Sequence, residues 1–258
     1  MTKEGGAPSI AVIGGGLTGL MTAAALSHAG PRVHLIDRAE SDAAHPDERT
    51  TTINAAGARM LAALGAWDRL ETPPAPVTRI AVAEGPAPTG LAARRRPDSD
   101  LSWQSGDAPM GYVVANAALQ SALRETLSTT TVIEHRGTRV TGWLAGDTIL
   151  SLRLADAAGH EETMEAALVV ACDGARSMMA ELAGIGRREE RQHQTAIVTT
   201  LRAERSHEGT AFQRFLPTGP FALMPGPGDA GGYEMSLVWT LPNDTAPVSY
   251  THLRAHET

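Results

Sequence analysis

Three glycines and one aspartate near the amino terminus have the types and spacing of a phosphate and ribose binder. Gly14-Gly15-Gly16-Leu17-Thr18-Gly19 carries a G-x-G-x-x-G pattern. Gly14 permits a tight turn, Gly16 lets a pyrophosphate approach the backbone, and Gly19 lets helix and strand pack closely. The phosphate would sit at a helix N-terminus beginning at Leu17 and Thr18, where open N–H groups and roughly half a positive charge meet it. Asp37, about twenty residues further on, is placed to accept hydrogen bonds from ribose hydroxyls. An acid there disfavours a 2′-phosphate, so the site suits FAD or NAD better than NADP.

Such a loop binds only if the flanking elements aim it. Ser9–Ile13 is a short apolar run that reads as a buried strand entering the turn. Leu17, Leu20, Met21 and Ala24 then repeat at helical spacing until Gly30-Pro31, and Val33–Ile36 forms a second strand closed by Asp37. Strand, helix, strand and terminal acid make a complete βαβ unit. Further on, Ile53, Met60, Leu61 and Leu64 predict one apolar face of a helix that a threonine of Thr50–Thr52 caps and Gly65 ends. Gly111–Asn116 reads as a strand leading into a helix with Leu119, Leu123 and Leu127 on one side. Leu168–Ala171 delivers Asp173-Gly174 at the C-terminal end of an apolar strand, where ligands gather in open α/β sheets.

Composition narrows the alternatives. A hydrophobic content of 42% with 20% charged residues is that of a globular protein, and a net charge of −7 argues against nucleic acid as partner. The single cysteine, Cys172, excludes an intramolecular disulfide framework and reads as a small core residue. There is no H-E-x-x-H, no clustered histidine and carboxylate spacing and no nucleophile elbow, so neither a metal site nor serine hydrolysis is expected. Lacking a secretion-signal pattern and any long apolar run, the chain is expected to be cytoplasmic, with surface attachment to a membrane left open. Arg94–Arg96, Glu161-Glu162 and Glu189-Glu190 read as exposed loop charge, and His207 as a hydrogen-bonded loop residue.

Arg49–Trp67, reading R-T-T-T-I-N-A-A-G-A-R-M-L-A-A-L-G-A-W, resembles the segment after the second strand in class A flavin monooxygenases, especially the ubiquinone-biosynthesis hydroxylase group. In that family the arginine, here Arg49, lies against the FAD. Gly111–Asn116 and the following helix look like the strand and helix that line the flavin's adenosine side, which marks Val114 and Gln120 as contacts. Leu168–Ser177 is similar to the family's Asp-Gly motif, so Asp173 and Gly174 would touch the FAD ribose and serve the transient visit of NAD(P)H. Gln194–Leu241 looks like the family's substrate-domain sheet, and His207 fits its pattern. The resemblance covers residues 8 to about 241, and the ordered set carries it.

The resemblance implies an α/β fold: a Rossmann-type FAD-binding domain from 1–72 and 111–186, interleaved with a β-rich substrate domain from 73–110 and 187–247. It implies FAD as cofactor, NAD(P)H as co-substrate, and oxygen transfer to a small aromatic substrate such as a polyprenylated phenol. Two departures stand out. Ala180 occupies the place of a family arginine, and the later G-D-x-x-H segment is absent, its nearest counterpart being Gly228-Asp229. Residues 248–258 abandon the strand pattern and resemble a translated adaptor sequence. The chain therefore reads as lacking the C-terminal part of the fold, and is expected by itself to hold FAD weakly or not at all. Two alternatives stay open: a different reaction on the same FAD fold, and a non-catalytic nucleotide-binding module. Oligomeric state and catalytic residues are not legible.

Overall fold

A computed structural model describes residues 9–40, 47, 49–86, 101–228 and 230–246; Arg94–Arg96, Asp229 and the tail from 248 lie outside the described residues. By internal contacts the chain divides into two units. The first takes its described residues from Met1–Asp47, Met60–Glu71 and Ala117–Arg188, the second from Glu48–Arg59, Thr72–Asn116 and Glu189–Thr258.

The first unit starts with β1 (Ser9–Ile13), α1 (Leu17–His28) and β2 (Arg32–Asp37), the βαβ unit its apolar spacing predicts. Their parallel sheet has the order β12-β1-β2-β8, where β8 is Ile133–Arg136 and β12 is Leu168–Ala171. Successive side chains of a strand point to opposite faces. Ala11 and Ile13 of β1, with Ile36 of β2, pack on one face against Val140, Leu152 and Leu154. Those three belong to an antiparallel meander of β9 (Arg139–Ala145), β10 (Leu150–Ala155) and β11 (Glu161–Ala166). Val12 and Leu35, at alternate positions, are fully buried on the opposite face, where α1 lies against β1 and β2. Glu161 and Glu162 prove to be exposed strand residues of β11 rather than loop residues.

The second unit holds a sheet of order β3-β7-β4, made of β3 (Thr50–Asn54), β4 (Ala75–Val77) and β7 (Gly111–Ala115). Its larger sheet has the order β13-β16-β15-β14-β5-β6. These strands are β5 (Arg79–Glu84), β6 (Leu101–Gln104), β13 (Gln194–Arg202), β14 (Thr210–Leu216), β15 (Gly219–Pro225) and β16 (Glu234–Pro242). One correction falls here. Thr50–Asn54 is a strand, not the lead-in and first turn of a helix: its β-branched run pairs with β7, residue for residue from Thr50 opposite Ala115 to Asn54 opposite Gly111. The helix α2 (Ala55–Ala63) starts only after Asn54, whose Oδ1 accepts the Gly57 N–H at 2.8 Å. Asparagine at that position satisfies an N–H that no helical carbonyl reaches. Gly65 ends the segment as expected, at φ +76°.

The helix α3 (Asn116–Ser128) follows β7, with Leu119, Leu123 and Leu127 buried as their spacing predicts. A short helix, α4 (Met178–Leu182), follows β12. No helix among the described residues is long and apolar enough to cross a membrane.

Across β2 and β8, His34 Nδ1 and His135 Nε2 lie 2.9 Å apart with the rings stacked, and Glu162 Oε1 of β11 is 3.9 Å from His135 Nδ1. Burial first, then the neighbouring His135 and Arg32, hold the His34 imidazole below its ordinary value of 6.5. As pH falls through that value the unfolded chain takes up this proton before the folded one does, so stability present above it is lost on acidification. The unfolding midpoint of the wild-type chain is expected to fall between about pH 7.5 and about pH 5.5. His34→Gln, which keeps a hydrogen-bonding partner for His135, should flatten part of that slope in thermal unfolding followed by circular dichroism. An unchanged slope would show that His34 does not titrate in the folded chain as its surroundings require.

Candidate functional site

β1 lies between β2 and β12 in the parallel sheet, so the chain leaves it on one side and returns on the other. Crevices at the C-terminal ends of such strands are the ligand sites of open α/β sheets. A cleft of about 310 Å³ opens there, lined by Gly14, Gly15, Gly16, Asp37, Asp173 and Gly174 among others. The sequence places these six in three separate segments, and the first unit brings them to one wall.

Gly14 has φ +107°, and a Cβ on it would stand 2.5 Å from the carbonyl oxygen of Cys172. Its N–H donates to Ile36 O at 2.8 Å, and Cys172 N–H donates to Ile13 O at 2.7 Å. A Cβ on Gly19 would overlap the Gly14 carbonyl, so helix and turn touch through bare backbone. Gly16 differs: nothing lies within 4 Å of where its Cβ would be. It is the N-cap of α1, without a side-chain cap, and the first turn holds no acid. Leu17, Thr18 and Gly19 form that first turn, and their N–H groups head the helix. This is open, electropositive backbone suited to a phosphate.

Asp37 ends β2, its Oδ1 accepting the Ala39 N–H at 3.2 Å and its Oδ2 lying 3.6 Å from the Arg124 guanidinium. Asp173 carries a structural duty as well. Its Oδ2 accepts the Met179 N–H at 3.0 Å, while Ser177 caps α4 by accepting the Ala180 N–H at 3.0 Å. Burial pushes the Asp173 carboxyl up, but the Met179 N–H and the Ser177 hydroxyl outweigh it and hold the group below the ordinary carboxylate value. Gly174 turns the chain at φ +86°. Cys172 is half-buried at the cleft wall rather than in the core, because β12 ends one residue before it.

The other expected contacts are distributed differently. Gln120 is half-buried on α3 and is not among the residues lining the cleft. Arg49 and Val114 belong to the second unit, where Arg49 is exposed with its carbonyl accepting the Asn116 N–H at 2.9 Å, and the Val114 side chain is fully buried. His207 Nδ1 accepts the Gly209 N–H at 3.0 Å, as a loop residue would. Three arginines missed in the sequence, Arg38, Arg139 and Arg176, line the cleft. Arg38 and Arg176 stand next to or near the motif acids, but Arg139 is brought in by the meander and leaves no local signal.

An open glycine turn, a helix N-terminus, a strand-end acid and three cationic side chains fit a nucleoside diphosphate, and define a dinucleotide-binding α/β unit. The chain belongs to the FAD binding domain family, whose match spans residues 8–255, and FAD is therefore its dinucleotide. It is 37% identical to ubiquinone hydroxylase UbiL of Rhodospirillum rubrum over 92% of this chain and 53% of that protein. It is 29% identical to 3-demethoxyubiquinol 3-hydroxylase of Escherichia coli over 84% and 54% of the respective chains. The chain thus spans about half the length of these relatives. Its fold matches the crystal structure of p-nitrophenol 4-monooxygenase PnpA from Pseudomonas putida DLL-E4 with a TM-score of 0.73, at 19% identity, over 95% of this chain and 60% of that one.

The two glycines of the turn should respond unequally to alanine. Gly14→Ala is expected to lower stability by about 1–3 kcal/mol in urea unfolding, since the backbone conformation and the Cys172 carbonyl both oppose it. Gly16→Ala, in open space with an ordinary backbone, should cost clearly less, about 0.5–1 kcal/mol, the ordinary penalty of alanine at an N-cap. Equal losses at the two positions would contradict this account of the turn.

Proposed function

We propose that the protein containing this chain is a flavin-dependent monooxygenase that hydroxylates an aromatic ring, with a polyprenylated phenol of ubiquinone biosynthesis as its substrate class. The observation that carries this is the 37% identity with a relative named as a ubiquinone hydroxylase, extending over nearly the whole chain. The cleft of the first unit supports it from the residues. In this reading the N–H groups of Gly16, Leu17, Thr18 and Gly19 hold the FAD pyrophosphate, Asp37 accepts from the adenosine ribose, and Asp173-Gly174 touches the FAD ribose and serves the transient visit of NAD(P)H. Further FAD contacts at Arg49, Val114 and Gln120 are those that the family resemblance implies. NAD(P)H would be the co-substrate and the bound flavin would supply the redox chemistry, while the chain's own residues bind it, orient it and exclude water.

The full-length protein loaded with FAD should consume oxygen and NADH or NADPH faster when a prenylated phenol is added, with hydroxylated product found by mass spectrometry. Oxygen uptake that no phenol stimulates would count against aromatic hydroxylation. In the same protein, Gly16→Val should lower FAD retention by far more than the small loss of apoprotein stability that a poorer N-cap causes.

A polyprenylated phenol resides in a bilayer, and the protein in this reading meets it by peripheral attachment to the membrane surface. The full-length protein is then expected to float with liposomes containing the prenylated phenol; protein remaining wholly at the bottom of the gradient would refute the attachment.

A further inference from the structure

Behind the cleft wall lies a charge network that the glycine pattern does not predict. Arg124 projects from α3, and its side chain is only 12% exposed. One guanidinium nitrogen lies 3.0 Å from Glu134 Oε2 of β8; the other lies 3.6 Å from Asp37 Oδ2 and 3.4 Å from the Gly15 carbonyl oxygen. Arg136 Nε donates to the same Glu134 oxygen at 3.0 Å. Two arginines thus balance two carboxylates, and the Asp37 carboxylate is pressed so closely on Gly15 that a Cβ there would overlap its Oδ2.

We propose that Arg124 is a positioning residue for dinucleotide binding: it fixes the Asp37 carboxylate toward the ribose and fixes the peptide that presents the Gly16 N–H to the phosphate. The proposal rests on the ribose-accepting role given to Asp37 above. Two geometric facts carry it. A carboxylate has about four lone-pair positions. With one oxygen engaged by the Ala39 N–H and the other turned to Arg124, the rest remain for ribose hydroxyls at the cleft that Asp37 lines. In a planar trans peptide the C=O and the following N–H point in opposite directions. Drawing the Gly15 carbonyl toward Arg124 therefore turns the Gly16 N–H away from α3. One guanidinium nitrogen sets both the ribose acceptor and a phosphate donor, and the planar group that joins it to the nitrogen held by Glu134 fixes the direction of both contacts together.

The test compares ADP with 2′-deoxy-ADP by isothermal titration against the FAD-free full-length protein. Wild type is expected to prefer ADP by roughly tenfold, the value of one hydrogen bond to a charged group. Arg124→Met should abolish most of that preference, and Arg124→Lys, which keeps the charge but not the fork, should restore part of it. A purely structural loss would weaken both ligands equally and leave the ratio intact, which would overturn the proposal. A second measurement needs no nucleotide: thermal unfolding of Arg124→Met, Asp37→Asn and the double variant. Midpoint shifts that are clearly less than additive in the double variant support the coupling, and additive shifts overturn it. If wild type shows no preference for ADP and Asp37→Asn leaves both affinities unchanged, the ribose reading fails, and the positioning role in binding fails with it. If the preference depends on Asp37 but survives Arg124→Met, only the positioning role fails.

Discussion

At the end of β1 the backbone turns through Gly14 at φ +107°, its N–H held by Ile36 O, with the Cys172 carbonyl standing where any side chain would have to go. Three strands converge on that residue, and no L-amino acid with a side chain satisfies both the space and the backbone angle. The rest of the first unit follows from this close approach. Because β2 and β12 flank β1 at hydrogen-bonding distance, Asp37 at the end of β2 and Asp173 two residues past the end of β12 fall on either side of the glycine turn. Because Gly19 abuts the Gly14 carbonyl, α1 begins at the turn itself, and its N-cap, Gly16, lines the same cleft.

The cleft divides its labour between backbone and charge. Open N–H groups at the head of α1 and the exposed arginines Arg38, Arg139 and Arg176 favour a pyrophosphate, while Asp37 would discriminate at the ribose. Asp173 shows how a motif acid can serve structure and site together: its carboxylate anchors the start of α4, and the same anchoring keeps it ionised at the cleft wall. No acid–base pair is needed if, as proposed, a bound flavin carries the redox chemistry. The protein's task is then to hold FAD rigidly, and a backbone turn braced by sheet neighbours and by Arg124 is suited to that.

Much of this was legible in the sequence because it depends on local rules. The G-x-G-x-x-G turn, the helical spacing of apolar residues in α1 and α3, the apolar run before Asp173 and the Gly65 stop each follow from the chemistry of a few adjacent residues. The start of α2 was misread because an apolar residue, Ile53, fits helical spacing with Leu61 and Leu64 equally well. Pairing with β7, about sixty residues away, made Thr50–Asn54 a strand and passed the cap to Asn54.

What the sequence alone determined was the kind of unit: the glycine turn at Gly14 and the acid at Asp37, set between two apolar strands and a helix, spell a dinucleotide-binding βαβ unit from local spacing. Tertiary structure alone decided which other residues share the site. Arg124 reaches Gly15 across 109 positions of sequence, Arg139 arrives with the meander, and Cys172 moves from the expected core to the cleft wall. Contacts of that range depend on sheet order and on which helix face is buried, and no local spacing rule encodes them.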